Sequence, residues 1–222
     1  MTTPGEMVKQ AAAALGVPEI TLTQIDRELA ANGLRAKGGR GRSAAKMDSG
    51  DVTNLLIGAA SGAIIRETAE TVRTYAHLSG NPARKWGLEG FSLPTVQALP
   101  ENHTFGQALN AFVASAAAGE FKNAYDALPK KEVQGRVIPQ LYQAEFRLHG
   151  PSPQAVIRLF VGGKFNEEHH YNAGPQEGDD IMAWAERYQR EFERKGYGDL
   201  SRVYYFTDST IKKMGQFLRG EG

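Results

Sequence analysis

The chain has 222 residues, enough for one large or two small domains, and 41% of them are hydrophobic, so a sizeable core can form. Its formal charge is +1, so any affinity for a polyanion must come from local separation of charge and not from the molecule as a whole. The absence of cysteine excludes disulfides, thiolate zinc sites and cysteine nucleophiles.

The first residues lack the basic, apolar, small-residue pattern of a signal peptide. The longest nearly uncharged run, 52–65, includes Thr53, Asn54 and Ser61 and falls short of a membrane span. A soluble, cytoplasmic protein without membrane association is expected.

In chain order, the spacing predicts a first helix over 4–15, ended by Gly16 and Pro18. A second begins near Thr21, where Thr21-Leu-Thr-Gln24 has capping-box spacing, and closes at Asn32-Gly33, a pair suited to a left-handed end. A basic loop follows. Asp48 or Ser49 then caps a long third helix running as far as Leu78. Val52, Leu55, Leu56, Ala59, Ala63, Ala69, Val72 and Ala76 stand along it at helical spacing, and it can bend at Gly58 or Gly62. Ser79-Gly80-Asn81-Pro82 stops it, and 83–101 reads as an irregular linker. Thr104-Phe-Gly-Gln107 repeats the capping-box pattern and opens a helix to about Ala118, and 120–128 adds a short one before Pro129.

The last third changes period. Tyr142, Ala144, Phe146 and Leu148 alternate with Gln143, Glu145, Arg147 and His149, and Ala155, Ile157, Leu159 and Val161 continue the pattern. Gly162-Gly163 is a hairpin signal before a strand over 164–171. Asp179 or Asp180 caps a helix with Ile181, Trp184, Ala185, Tyr188 and Phe192 on one face, ended by Gly196. A fourth strand covers 202–207, and a last helix carries Ile211, Met214, Phe217 and Leu218. The fold class expected is α+β: an N-terminal winged helix-turn-helix with a long third helix, then an antiparallel meander sheet with packed helices. The divisions expected are 1–79 for DNA binding, 80–135 as a helical linker region, and 136–222 as an oligomerisation or effector domain.

Ala12, Gly16, Leu22 and Ile25 stand where a helix-turn-helix needs a small contact residue, a turn glycine and apolar residues entering the core, and Pro18 suits the start of its second helix. The segment 35–46 then carries Arg35, Lys37, Arg40, Arg42 and Lys46 and no acid. Its glycines permit close backbone approach to phosphate, and its arginines offer planar forks for phosphate oxygens. Residues 8–57 resemble the winged helix-turn-helix of mercury-resistance-type regulators. The likeness lies in the Ala12…Gly16-Val17 turn, the Thr23-Gln-Ile-Asp-Arg-Glu-Leu29 helix, Ala-Asn-Gly-Leu34, the basic wing, and Asp48-Ser-Gly-Asp-Val-Thr-Asn-Leu-Leu-Ile57. It covers about a quarter of the chain, and the glycine-rich wing also resembles, loosely, that of prophage-borne regulators. The family's usual aromatic pair in the second helix is replaced by Ile25-Asp26, and the C-terminal part is more than a dimerising coiled coil. What carries over is DNA binding, not promoter twisting.

The resemblance places Thr23, Gln24 and Arg27 against base edges, Gln suiting adenine and Arg guanine, with Arg35, Lys37, Arg40, Arg42, Ser43 and Lys46 along phosphates. The expected partner is double-stranded DNA, met by a homo-oligomer, most simply a dimer reading two half-sites. No cofactor, metal or reaction is expected. Glu167-Glu-His-His170 splits across two strand faces and offers at most two convergent ligands. Tyr204-Tyr205-Phe206 must send at least one ring into the core, and Trp184 and Tyr188 could line an apolar pocket for a small-molecule or protein effector. Gly58-Ala-Ala-Ser-Gly62 permits close helix approach, within the chain or at a dimer seam. The competing functions are a DNA-packaging or replication accessory protein of a mobile element, and a nucleic-acid-acting enzyme with its site in the C-terminal sheet.

Overall fold

The computed structural model describes residues 2–37, 45–80, 86, 91–128, 130–133, 136–139, 141–174, 180–195 and 201–221. The first helix, α1 (Pro4–Leu15), starts with proline in its first turn and is capped reciprocally by Thr3 and Glu6. It closes at Gly16, whose φ of 68° is the left-handed conformation glycine adopts without strain.

The second helix, α2 (Glu19–Ala31), begins two residues before the expected Thr21. The Thr21 N–H already bonds to the Pro18 carbonyl, so Thr21 lies inside the first turn and its capping box does not form. Met7, Val8 and Ala11 of α1 and Leu22, Ile25 and Leu29 of α2 are buried, which seats the two helices on one another.

The long third helix is two helices. The first, α3 (Ser49–Ala60), is capped by Asp48 with Asp51. Gly62 then takes φ 66°, Ile64 is extended, and a single 3-10 turn leads into α4 (Thr68–Ala76). A helix cannot pass through a left-handed residue, so the chain breaks there and α4 lies back against α2 and α3. Gly58 makes that return possible: a Cβ on it would stand 3.0 Å from Ile25 and 3.1 Å from Thr68, so its close approach is within the chain.

After β1 (Ser79–Gly80) and the one-turn α5 (Pro94–Gln97) come α6 (Phe105–Ala117) and α7 (Glu120–Ala127). The capping box of Thr104 with Gln107 forms as the spacing predicts. A hairpin follows that the sequence pattern did not suggest, β2 (Lys130–Val133) with β3 (Arg136–Pro139).

The main sheet contains β4 (Tyr142–Gly150), β5 (Gln154–Val161), β6 (Lys164–Asn172) and β7 (Arg202–Thr207), with α8 (Ile181–Lys195) before β7 and α9 (Asp208–Arg219) after it. Its strand order is β1-β6-β5-β4-β7, antiparallel throughout. The expected meander therefore holds for β4–β6 only. The fourth long strand returns to the far side of β4, a Greek-key order, where Phe206 stacks on Phe146 at 5.3 Å.

Alternation sorts the faces. Tyr142, Ala144, Phe146 and Leu148, with Ala155, Ile157 and Leu159, are buried. Phe112 of α6 meets Phe146 edge-on at 5.1 Å, and α9 lies across both α6 and α1. One continuous set of buried side chains runs from Met7 to Phe217. The exception is α8. Asp180 caps it through the N–H groups of Met182 and Ala183, as expected. Its apolar face is not pressed into the sheet, however: Ile181 and Met182 are exposed, and Trp184 and Tyr188 are half-buried and stack on each other. The architecture is mixed α+β, N-terminal helices followed by a five-stranded antiparallel sheet packed with helices. Among the described residues no helix is long and apolar enough to cross a membrane.

Candidate nucleic-acid interface

Burial of Leu22, Ile25, Asp26 and Leu29 fixes which face of α2 looks outward. Gln24 and Arg27 are exposed, as the sequence predicts, and Ile20, which sequence reasoning passed over, is 67% exposed one turn earlier. Ile20, Gln24 and Arg27 stand at i, i+4 and i+7 and form one stripe. An apolar methyl group, a carboxamide and a guanidinium in line are the side-chain types that contact thymine, adenine and guanine edges in a major groove. Thr23 is less available than expected. It is half-buried, and its hydroxyl donates to the Glu19 carbonyl at 2.8 Å.

The basic segment is anchored where it leaves the helices. Asn54 Nδ2 donates to the Leu34 carbonyl at 2.7 Å, and the Ala36 N–H donates to Asp51 Oδ1 at 2.8 Å. Arg35 is part of this anchor and not a free cation. Its Nε and Nη2 donate to Asp26 Oδ1 and Oδ2 at 2.9 and 3.0 Å, and its Nη1 donates to the Ala36 carbonyl. Against the expectation that Arg35 meets phosphate, its guanidinium already has a carboxylate. Burial raises the Asp26 carboxyl above its ordinary value, outweighing the pull of Arg35 in the other direction. At the far end Met47 is buried and its N–H donates to the Thr2 carbonyl at 2.9 Å. Lys37 and Lys46 flank the two anchors and are exposed. Arg40, Arg42 and Ser43 lie outside the described residues.

Elsewhere, the two faces of β6 separate the Glu167-Glu-His-His170 run as strand geometry requires. His169 is buried, stacked flat on Trp86 at 3.7 Å, with Glu167 Oε1 at 3.8 Å from its Nε2. His170 points the other way and pairs with Glu168 at 2.7 Å, and Glu168 also takes Arg158 at 2.9 Å. Among the described residues no three His, Asp or Glu side chains are grouped to hold a metal ion. A groove of about 510 Å³ lies between α4 and the β4–β5 turn, lined by Glu70, Thr74, Pro151, Arg202 and Tyr204 among others. Neither Trp184 nor Tyr188 is among the residues that line it.

Comparison of the chain with protein-family models, curated proteins and solved structures finds no match.

Proposed function

We propose that the protein is a DNA-binding regulator of winged helix-turn-helix type. In this reading α1 and α2 form the two-helix unit, the Ile20–Gln24–Arg27 stripe enters the major groove, and Lys37, Arg40, Arg42, Ser43 and Lys46 follow the phosphate backbone. The observation that carries the reading is a short helix with an exposed apolar and polar stripe, joined through the Arg35–Asp26 pair to a cation-rich segment tethered at Ala36 and Met47. Tethering the segment at both ends lowers the ordering cost of engaging phosphate. The two sets divide the work: phosphate contacts give affinity and its salt dependence, and base-edge contacts give selectivity. A homodimer would place two such helices on two half-sites, and no cofactor enters the reading.

The test is titration of a labelled duplex with the intact chain and with Arg40→Ala/Arg42→Ala at two salt concentrations. The double variant should bind more weakly, with a log–log salt slope shallower by about 2. Equal affinity for the two proteins at both salts overturns the role of the segment.

A further inference from the structure

We propose that the outer edge of β7 is a homodimer seam, at which a second copy of this chain adds its own β7 antiparallel and joins the two sheets into one. β7 bonds to β4 along its whole length, from Glu145 opposite Thr207 to Gly150 opposite Arg202. No strand among the described residues pairs with its other side. A free edge presents unpaired N–H and C=O groups, and monomeric proteins guard such edges with lysine, proline, inward charges or bulges.

The two sides of this sheet differ in that respect. β6, which β1 covers only at Tyr171 and Asn172, carries Lys164, Glu167 and Glu168, and its pairing with β5 shifts register at Leu159/Phe160. β7 reads Arg-Val-Tyr-Tyr-Phe-Thr: after Arg202 it has no charge, no proline and no break in register. Val203, Tyr204 and Tyr205 are 46%, 44% and 61% exposed. An unguarded, aromatic, β-branched edge is built to be paired.

The edge is complementary to itself, which makes a second copy the occupant. A two-fold axis normal to the sheet keeps both inner faces on the same side, so facing residues across the seam share parity. Tyr204 already packs its ring over Gly62, which leaves Tyr205 as the natural centre. Tyr205 then faces Tyr205 of the second copy, Val203 faces Thr207, and Tyr204 faces Phe206. On the outer face the central row runs Arg147, Tyr205, Tyr205, Arg147, with each guanidinium over its own tyrosine ring at 5.6 Å. The next row runs Glu145, Thr207, Val203, His149, so no like charges meet at the seam. The pairing names the surface of the expected homo-oligomer and stands without any DNA.

The test is therefore made without DNA. A six-residue seam is at the small end of stable interfaces, so sedimentation velocity should be run from ~5 to ~200 µM. The wild-type chain should dimerise. Val203→Lys/Tyr205→Lys, which changes exposed positions and should leave the circular dichroism spectrum unaltered, should raise the dimer Kd at least tenfold, whereas Phe165→Lys should not. Because the chain has no cysteine, mild oxidation of Tyr205→Cys should yield a disulfide-linked dimer and Phe165→Cys should yield none. The proposal fails if the wild-type chain stays monomeric over that range, if the double lysine variant dimerises like wild type, or if the two cysteine variants cross-link equally.

Discussion

Arg35 and Asp26 meet in two parallel hydrogen bonds, with only 13% and 9% of their side-chain surfaces exposed. The pair fixes Arg35, at the start of the basic segment, to the middle of α2. Truncating Arg35 in Arg35→Met would leave a carboxylate buried without its counter-charge, at a cost of about 3 kcal/mol in urea unfolding. Arg35→Met/Asp26→Leu should recover most of that loss, because a buried pair replaced by apolar groups is close to neutral.

Asp26 also sets a pH dependence. Its carboxyl is raised, burial being the main cause, so between its ordinary 3.8 and its folded value the native state holds more proton than the unfolded chain. Its contribution to stability is therefore present at low pH and is lost as pH rises through that window. Asp26→Asn should remove this term, so that from pH 3.8 upward through the window the stability of the variant falls less, or rises more, with increasing pH than that of wild type.

The α2 stripe and the exposed lysines should separate experimentally. Gln24→Ala or Arg27→Ala should reduce the preference for a selected duplex over a scrambled one by about 1–3 kcal/mol per lost two-point contact. Lys37→Ala and Lys46→Ala should weaken binding to both duplexes alike, each flattening the salt slope by about 0.9. Competition titrations with the two duplexes read both effects. If Gln24→Ala and Arg27→Ala leave the preference intact, α2 is not the reading element.

What the sequence disclosed here was whatever is local and periodic. The alternation at Tyr142–Leu148 placed a buried strand face, and Thr104 with Gln107 placed a helix start, because both signals lie within one turn or pleat. The similar pattern at Thr21 misled, since Pro18 three residues earlier had already begun the helix. Gly62 was visible as a weak point, but only the return of α4 onto α2 and α3 turns a bend into a break. The strand Lys130–Val133 has no alternation to reveal it. In the site, Gln24 and Arg27 were legible as an outward face. Arg35 was not legible as an anchor, because its partner Asp26 sits nine residues away and the pairing exists only once α2 and the segment are folded together.

His103 is held between two elements: its Nδ1 lies 2.7 Å from the Pro100 carbonyl, so that nitrogen carries the proton, and its Nε2 accepts from the Tyr171 hydroxyl at 2.8 Å. Burial, first, and nearby His169 lower its pKa below the ordinary 6.5, against the bond to Pro100. Between the folded value and 6.5 the unfolded chain binds more proton, so stability rises with pH and is lost as pH falls from 6.5. The difference in melting temperature between wild type and His103→Gln should therefore shrink or reverse on going from pH 7.5 to pH 5. Tyr171→Phe, which leaves Nε2 buried without a donor, should cost about 1–3 kcal/mol at neutral pH. A melting difference that does not change with pH would remove His103 as the titrating group.

The final helix is held to α6 by the absence of a side chain. A Cβ on Gly215 would stand 2.5 Å from the Ala116 Cβ and 2.6 Å from its backbone carbon, so no rotamer change can relieve the clash and the helices must part. α9 also covers α1 and follows directly on β7, which makes this crossing the point where the N-terminal helices and the sheet are tied through one element. Gly215→Ala should cost about 1–3 kcal/mol, the range for overpacking a close contact, despite alanine's better helix propensity. Gly220→Ala, at the left-handed end of the same helix with open space around it, tests backbone strain alone and should cost about 1 kcal/mol. Urea unfolding of the two variants compares packing with strain on one helix. If Gly215→Ala proves the milder of the two, the tight crossing of α6 and α9 is not what holds the last helix in place.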